Sequence, residues 1–508
     1  MYDFNKRATL NGLNTLSLLG LDSHLTSDER NRLYKTNECW NFYEGFHWES
    51  IEDIGDKPQI TENYCRSFVN KFVSFEFGVG FRVTSPVEDN ERHNPITTFL
   101  NNVWNDNNKD TLCTELGQTK SVTGFGCVQV VYDKPGHFDD PFEEYPNGRI
   151  RLVNVPSHIV FPKFDPHDKD KVVELMIAYP IEVEDKSPVL RTAIKKQVLY
   201  KQIWTKNNVV IEDGQNAPIT IPNKYGIIPF VLIPNYPLAG KPIVEAQSDL
   251  DDLIPLNVEL NMKTSDVSEI IDYYSAPITI LYGAKVSSLE KGANKLWGGL
   301  PKDARVQNLE LQSDLGASNM YRSDLKMAMH EIGGVPEGAL GGRQAISNTS
   351  SVALHIANSP IIERVRVKRS YTTKGIQQVN KIILFIAKKE GLLEQPSHVS
   401  NREFYTTKIH FPDILPKDKL LELQQIQIEM SQGLEYRAKA MERLGKEDIQ
   451  DYIDLIDEDC YINPHFYGKA PVEEENEEEP QLNSGFTNGD SPVEQVRKEM
   501  TGQNGTEN

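Results

Sequence analysis

The chain has 508 residues, 25% of them charged and 38% apolar, and its 74 acidic side chains against 54 Lys and Arg leave a formal charge of -20. That length allows two to four domains and a sizeable core, while the lack of any run of about 18 apolar residues argues against a membrane-spanning helix. Nor does so acidic a chain read as a general nucleic-acid coat, because such proteins neutralise phosphates with a basic surface.

The opening segment MYDFNKRATLNGLNTLSLLG lacks a basic stretch followed by an apolar run and a small-residue cleavage site, so no secretory signal is expected and the protein reads as intracellular. The five cysteines, Cys39, Cys65, Cys113, Cys127 and Cys460, are odd in number and never form a C-x-x-C pair. They fit reduced structural thiols rather than disulfides or a zinc site.

The first predicted element is a helix in LTSDERNRLYKTNECWNFYEGFHWESI, capped by Thr26 or Ser27 and carrying Leu33, Trp40 and Tyr43 at near-helical spacing. A second runs through ITENYCRSFVNKFVSFEFG to the turn at Gly78 and Gly80, and helical periodicity returns from Ile96 to Leu116. The period then changes. GCVQVVYD, GRIRLVNV, VVELMIAYPIEV and KQVLYKQIWT alternate β-branched or aromatic residues with polar ones, as strands do. The two prolines of KYGIIPFVLIPN predict an edge strand or an extended crossing, closing a mixed α/β region at about residue 240.

From Lys241 to Pro277 the pattern predicts a helix of about thirty residues, ~45 Å long, beginning at Pro242 and kinked at Pro255. From Glu245 to Asp272 it carries eight acids, among them Glu245, Asp249, Asp252, Glu259 and Asp266, against Lys263 alone. A short strand-like excursion over 278–312 is too small to stand by itself and should pair with something else. SDLGASNMYRSDLKMAMHEI then returns as a helix, capped by Ser313 and stopped by Gly333 and Gly334, so the two helices are expected to be antiparallel with the excursion at their far end.

GGVPEGALGGRQAISNTSS follows, with five glycines between Gly333 and Gly342. Beyond it a long helix, kinked at Pro360, places Ile361, Val365, Thr372, Ile376, Val379, Ile383 and Ile386 on one buried stripe. Between Ile361 and Lys389 it carries Arg364, Arg366, Lys368, Arg369, Lys374, Lys381, Lys388 and Lys389 against Glu363, a concentrated basic face. A strand, FYTTKIHFPDIL, and three amphipathic helices over 416–470 complete the folded part. The segment from Pro471 to Asn508 has ten acids against Arg497 and Lys498 and reads as a disordered, solvated tail.

The motifs of catalysis are missing. A P-loop needs G-x-x-x-x-G-K-[ST], but Gly341 and Gly342 are followed by Arg343 and Gln344. His330 and Glu331 are adjacent without the second histidine of H-E-x-x-H, and G-x-S-x-G does not occur. Acidic pairs such as Asp139–Asp140 and Asp251–Asp252 are as common on solvated surfaces as in acid–base sites. No enzyme, metal or cofactor is therefore expected. What stands out is an order of features: acidic helix, glycine-rich loop, basic helix. Each taken alone also describes a solvated face or an ordinary turn.

Five stretches in order carry a resemblance. WNFYEGFHW, SVTGFGCVQVVYD, NKYGIIPFVLIPN leading into IVEAQSDLDDLIPLNVELNMKTSD, GGVPEGALGG with the helix after it, and HFPDILPKDKLLELQQIQIEMSQGL together resemble the portal proteins of tailed bacteriophages, in particular those of long-tailed phages. The resemblance covers about Lys35 to Asp459. It implies an α+β, multi-domain fold with an α/β wing (residues 1–241), stem helices (242–277 and 313–333), a small β clip (278–312), a tunnel loop (334–349), a long kinked helix with the return strand of the wing (350–415) and a helical crown (416–470).

The same resemblance implies a non-enzymatic homo-oligomeric ring, usually a dodecamer, at one capsid vertex of the virion, assembled in the host cytoplasm. Double-stranded DNA would pass through its centre during packaging and ejection. The terminase large subunit would dock on the clip, followed by a head-tail adaptor, and the scaffold and major capsid protein would contact the ring. Gly338, Ala339, Leu340, Gly341, Gly342, Arg343 and Gln344 are the expected DNA-facing loop. Arg364, Arg366, Lys368, Arg369 and Lys374 are the expected basic support, and Glu245, Asp249, Asp252, Glu259 and Asp266 the expected acidic stem face. Two other readings compete: a metal-dependent nuclease or nucleotidyltransferase using the acidic pairs, and a capsid-lining protein without a channel.

Overall fold

The computed structural model describes residues 25–50, 58–86, 94–141, 143–185, 194–275, 279–283, 303, 305–308, 315–341, 356–414, 419–444, 453 and 455–457. They form two compact units, Met1–Lys417 and Asp418–Asn508. The first opens with helix α1 (Ser27–Glu44), whose start is a reciprocal cap: the Thr26 hydroxyl accepts from the Glu29 amide, and the Glu29 carboxylate accepts from the Thr26 amide at 2.8 Å. Helix α2 (Tyr64–Phe77) is capped by Asn63. The helical pattern after Ile96 is two helices, α3 (Pro95–Asp106) and α4 (Lys109–Thr123), because Asn108 takes a left-handed conformation between them.

Every strand pairing among the described residues is antiparallel, so the class is α+β rather than a parallel α/β sheet. Strands β2 (Phe125–Asp133), β3 (Arg149–Val155) and β9 (Phe230–Pro234) form one sheet in the order β3-β2-β9, with the proline-flanked β9 at its edge as the sequence predicts. A five-stranded meander contains β4 (Val160–Asp165), β5 (Asp168–Asp185), β6 (Ile194–Thr205), β7 (Asn208–Glu212) and β8 (Ile219–Pro222). Early strand β1 (Arg82–Thr84) pairs with late strand β12 (Lys408–His410).

Two corrections concern prolines. The acidic segment is not one helix kinked at Pro255. A single 3-10 turn spans Ile243–Glu245, extended and turn-like backbone follows, and helix α5 runs only from Ile254 to Ser275 with Pro255 in its first turn. The ring of proline lacks an N–H to donate and has φ preset for that position, so it opens a helix more readily than it bends one. Pro360 behaves in the same way. Ile356 and Ala357 are helical and Asn358 is a turn; helix α7 (Ser359–Glu390) then starts afresh with Pro360 in its first turn.

Helix α7 organises the core. All seven residues of its predicted stripe are buried. Ile361 and Val365 pack with Phe68, Phe72, Leu260, Leu325 and Met329, where α2, α5 and helix α6 (Leu315–Gly333) meet. Ile376, Val379 and Ile383 pack instead with Trp104, Leu100, Val128 and Ile233, against α3 and the three-stranded sheet. The clusters around Phe161 and Phe125 draw their buried residues from the first 240, but those around Trp104 and Phe68 are completed by a helix more than a hundred residues later. A short helix, α8 (Asn401–Phe404), precedes β12.

In the second unit, α9 (Lys419–Ser431) and α10 (Arg437–Arg443) bury Ile426 and Ala440. Arg443 pairs with Glu429 and with Glu435 at 2.8 Å. Ile453, Leu455, Ile456 and Asp457 are helical, in the third predicted helix. The expected acidic tail, Cys460 and the Ser313 cap lie outside the described residues.

Candidate functional site

Helices α5 and α6 flank an antiparallel hairpin of β10 (Thr279–Tyr282) and β11 (Arg305–Asn308), paired from Thr279↔Asn308 to Tyr282↔Arg305. The excursion thus pairs with itself. The helix pair is tied by a residue not singled out in the sequence. Glu62 accepts from Thr264 of α5 at 2.9 Å, from Arg322 of α6 at 2.8 Å and from Lys326 of α6 at 2.7 Å. Burial works to raise the Glu62 carboxyl, but the bonds from Lys326, Arg322 and Thr264 hold it below its ordinary range.

Two asparagines one helical turn apart on α5 grip the chain entering α2. Asn257 donates to the Glu62 carbonyl at 2.8 Å and accepts from the Tyr64 amide at 3.2 Å; Asn261 accepts from the Glu62 amide at 2.9 Å. The Asn261 amide also reaches His47 Nδ1 at 2.7 Å, while His47 Nε2 lies 2.8 Å from the Phe42 carbonyl. A ring nitrogen facing a carbonyl must donate, so His47 is the neutral tautomer that accepts from Asn261. Burial pushes its pKa down accordingly. His47 of WNFYEGFHW therefore ties the end of α1 to α5; in the sequence the matching signal is the pair Asn257 and Asn261, four residues apart.

After α6 the glycine-rich stretch forms one 3-10 turn, Glu337–Leu340, and Gly341 closes it at φ 95°, a left-handed conformation suited to glycine. Ala339 and Leu340 pack against the core around Phe68, and Gly338 is half-buried. This first part is anchored rather than free. Gly342, Arg343 and Gln344 lie outside the described residues.

The expected basic face is largely consumed inside the molecule. Lys368 has no exposed side-chain surface and is ion-paired with Asp249, which is equally buried. Arg364 donates to the Gly333 carbonyl at 2.9 Å and the Ile332 carbonyl at 3.1 Å, holding the end of α6. Arg369 donates to the carbonyls of Phe75 at 3.0 Å, Glu76 at 3.2 Å and Pro412 at 2.7 Å. Only Arg366 and Lys374 of the five are exposed. The reason is the stripe itself: on a helix buried over a wide arc, residues 364, 368 and 372 share a face with 361 and 365.

The acidic set is likewise divided. Glu245 and Asp252 precede α5; Glu245 pairs with Lys241 at 2.8 Å, and Asp252 accepts from Gln247 at 2.9 Å. Glu259 and Asp266 lie on α5 but share Lys263, at 3.8 and 3.2 Å. Exposed acids on this helix are Glu269 and Asp272, near the hairpin. Asp249 belongs to a buried network. Beside it, Glu76 pairs with Lys120, Lys120 donates to Thr372 at 2.6 Å, and Thr372 donates to Glu76 at 2.7 Å. Burial lowers the Lys368 pKa, opposed by the neighbouring Asp249 and Glu76 carboxylates.

The four described cysteines are free and buried, and burial pushes the Cys39 and Cys113 thiols up to about 12. Such thiols are unreactive. Among the described residues no helix is long and apolar enough to cross a membrane.

Among the described residues, antiparallel sheets and packed helices surround the core, and the α5–α6 pair flanks the β10–β11 pairing in the chain. Residues 23–459 match the family model described as phage portal protein, SPP1 Gp6-like, and the chain belongs to that family. It is thus a portal protein of the phage capsid. No individually curated protein matches the chain.

Proposed function

We propose that this chain is the protomer of a portal ring of twelve subunits at one capsid vertex, forming the channel for double-stranded DNA packaging and ejection and the platform for head assembly and tail attachment. The observation that carries the reading is the α5–α6 pair closing on the β10–β11 hairpin, inside the matched region, with Ile271, Met320 and Met327 left 49%, 69% and 58% exposed. Side chains of that size on neighbouring helices call for cover, and a second copy of the same element supplies it in a ring.

In this reading α5 and α6 are the stem, the hairpin is the clip, the residues around 334–349 are the tunnel loop and the helices after 418 are the crown. A ring multiplies each exposed charge by the subunit number. Glu269 and Asp272 then make a negative collar near the clip. DNA carries one charge per ~1.7 Å, and with a Debye length of ~8 Å such a wall repels the duplex weakly along its length, so transport does not stall on tight phosphate contacts. Arg343, following the anchored turn, is the phosphate contact proposed for the loop, since its guanidinium is always charged. The terminase large subunit supplies the ATPase that this chain lacks by docking on the clip, and a head-tail adaptor later takes the same surface. The scaffold and major capsid protein contact the ring during assembly in the host cytoplasm.

Negative-stain images of the purified protein are expected to show rings with a central hole. Single protomers, or rings without a hole, overturn the reading. A metal-dependent nuclease activity in the purified protein would favour the enzymatic alternative instead.

A further inference from the structure

A groove of 940 Å³ lies between the start of β5, the flank of β9 and the exposed side of α7. Its volume is that of a ligand or peptide site, within roughly 300–1,000 Å³. The floor is apolar: Val172, Ile228, Pro237 and Ile243 line it half-buried, beside the buried Leu232. The rim is basic. Lys169, Lys171 and Lys206 line one side, Lys374 the other, and Asp170 is the only acidic residue among them. Lys171 is held by Asp165 at 2.8 Å, and Lys169 reaches the Lys241 carbonyl at 3.5 Å. Lys206 and Lys374 are exposed and have no carboxylate partner among the described residues; Lys374 Nζ lies 5.9 Å from the centre of the Tyr371 ring. In a chain of net charge -20 this is a local inversion of sign over an apolar floor.

We propose that this groove docks an extended segment of a partner protein in which apolar and acidic residues alternate. An extended peptide places successive side chains on opposite faces every ~3.3 Å, so one set enters the floor while the other reaches the lysines. A nucleic-acid backbone satisfies the lysines but gains nothing from the floor, which favours the peptide over a phosphate ligand. The inference concerns the body of the protein and does not depend on the channel.

The test is fluorescence anisotropy on the purified full-length protein in its assembled state, with a labelled eight-residue peptide alternating Glu and Leu. Saturable binding is expected, weakened about tenfold by the double variant Lys206→Glu, Lys374→Glu, and weakened further by salt. Both lysines are exposed, so the variant should keep the parental unfolding temperature. Equal binding of a peptide alternating Glu and Ser removes the role of the floor and overturns the proposal. So does displacement of the labelled peptide by a short DNA duplex with the same dependence on both lysines. Lack of binding to the assembled protein together with binding to the dissociated protomer assigns the groove to a second copy of this chain and overturns it as well, as does lack of binding to either. Ring formation is read separately by microscopy, so failure here leaves the ring reading intact.

Discussion

Lys368 and Asp249 sit in the interior with no side-chain exposure, and a charge so placed is tolerable only beside its partner. Replacing Lys368 by Met leaves the buried Asp249 carboxylate with only the looser Arg364 guanidinium, at 3.6 Å, and is expected to cost about 3 kcal/mol in urea unfolding. Adding Asp249→Leu should recover most of that loss, because no buried charge is then unpaired; a double variant as unstable as the single one would show that the network contributes more than charge balance. Gly124 is a second sensitive residue. Its φ is +89°, and a Cβ there would stand 2.1 Å from the Ala246 carbonyl oxygen. Gly124→Ala therefore combines backbone strain with a clash against backbone, and it should lower stability by about 2–4 kcal/mol. Gly136→Ala, with a similar φ of +76° and open space around it, is the control that isolates the strain alone.

At the scale of elements, Glu62 is the clasp of the α5–α6 pair. Its folded pKa lies below the ordinary 4.5, so its stabilisation is complete above pH 4.5 and is lost as the pH falls through the lowered value. The unfolding temperature should fall on acidification in that window. Glu62→Gln should start about 2 kcal/mol lower at pH 7 and show a flatter acid limb; an unchanged acid limb would mean that other carboxylates dominate it. The glycine-rich element has its own test. Substituting Ala at Gly338, Gly341 and Gly342 together should slow packaging if the backbone there must change conformation as DNA advances. The helix pair, the edge strand and the α7 stripe were all legible in advance, because hydrophobic period and proline placement are local signals. The fate of Pro255 and Pro360 was not, since a proline that opens a helix and one that kinks it look alike until the preceding residues are placed.

At the scale of the whole molecule, the ring reading makes Arg343 its most direct probe. Arg343→Ala is expected to reduce DNA packaging and retention while leaving ring formation unchanged; wild-type packaging would remove the assigned phosphate contact. The sequence by itself determined the α+β class and the family, because strand alternation, helical period and motif order survive in a single chain without knowledge of contacts. Only the tertiary structure decided which charges are available. Arg364, Lys368 and Arg369 lie within a run that reads as a solvated basic face, yet they close onto α6, Asp249 and α2. Charge is legible in one dimension; its compensation depends on what folds against it, and here the partners of Lys368 and Arg369 lie 119 and 293 residues away.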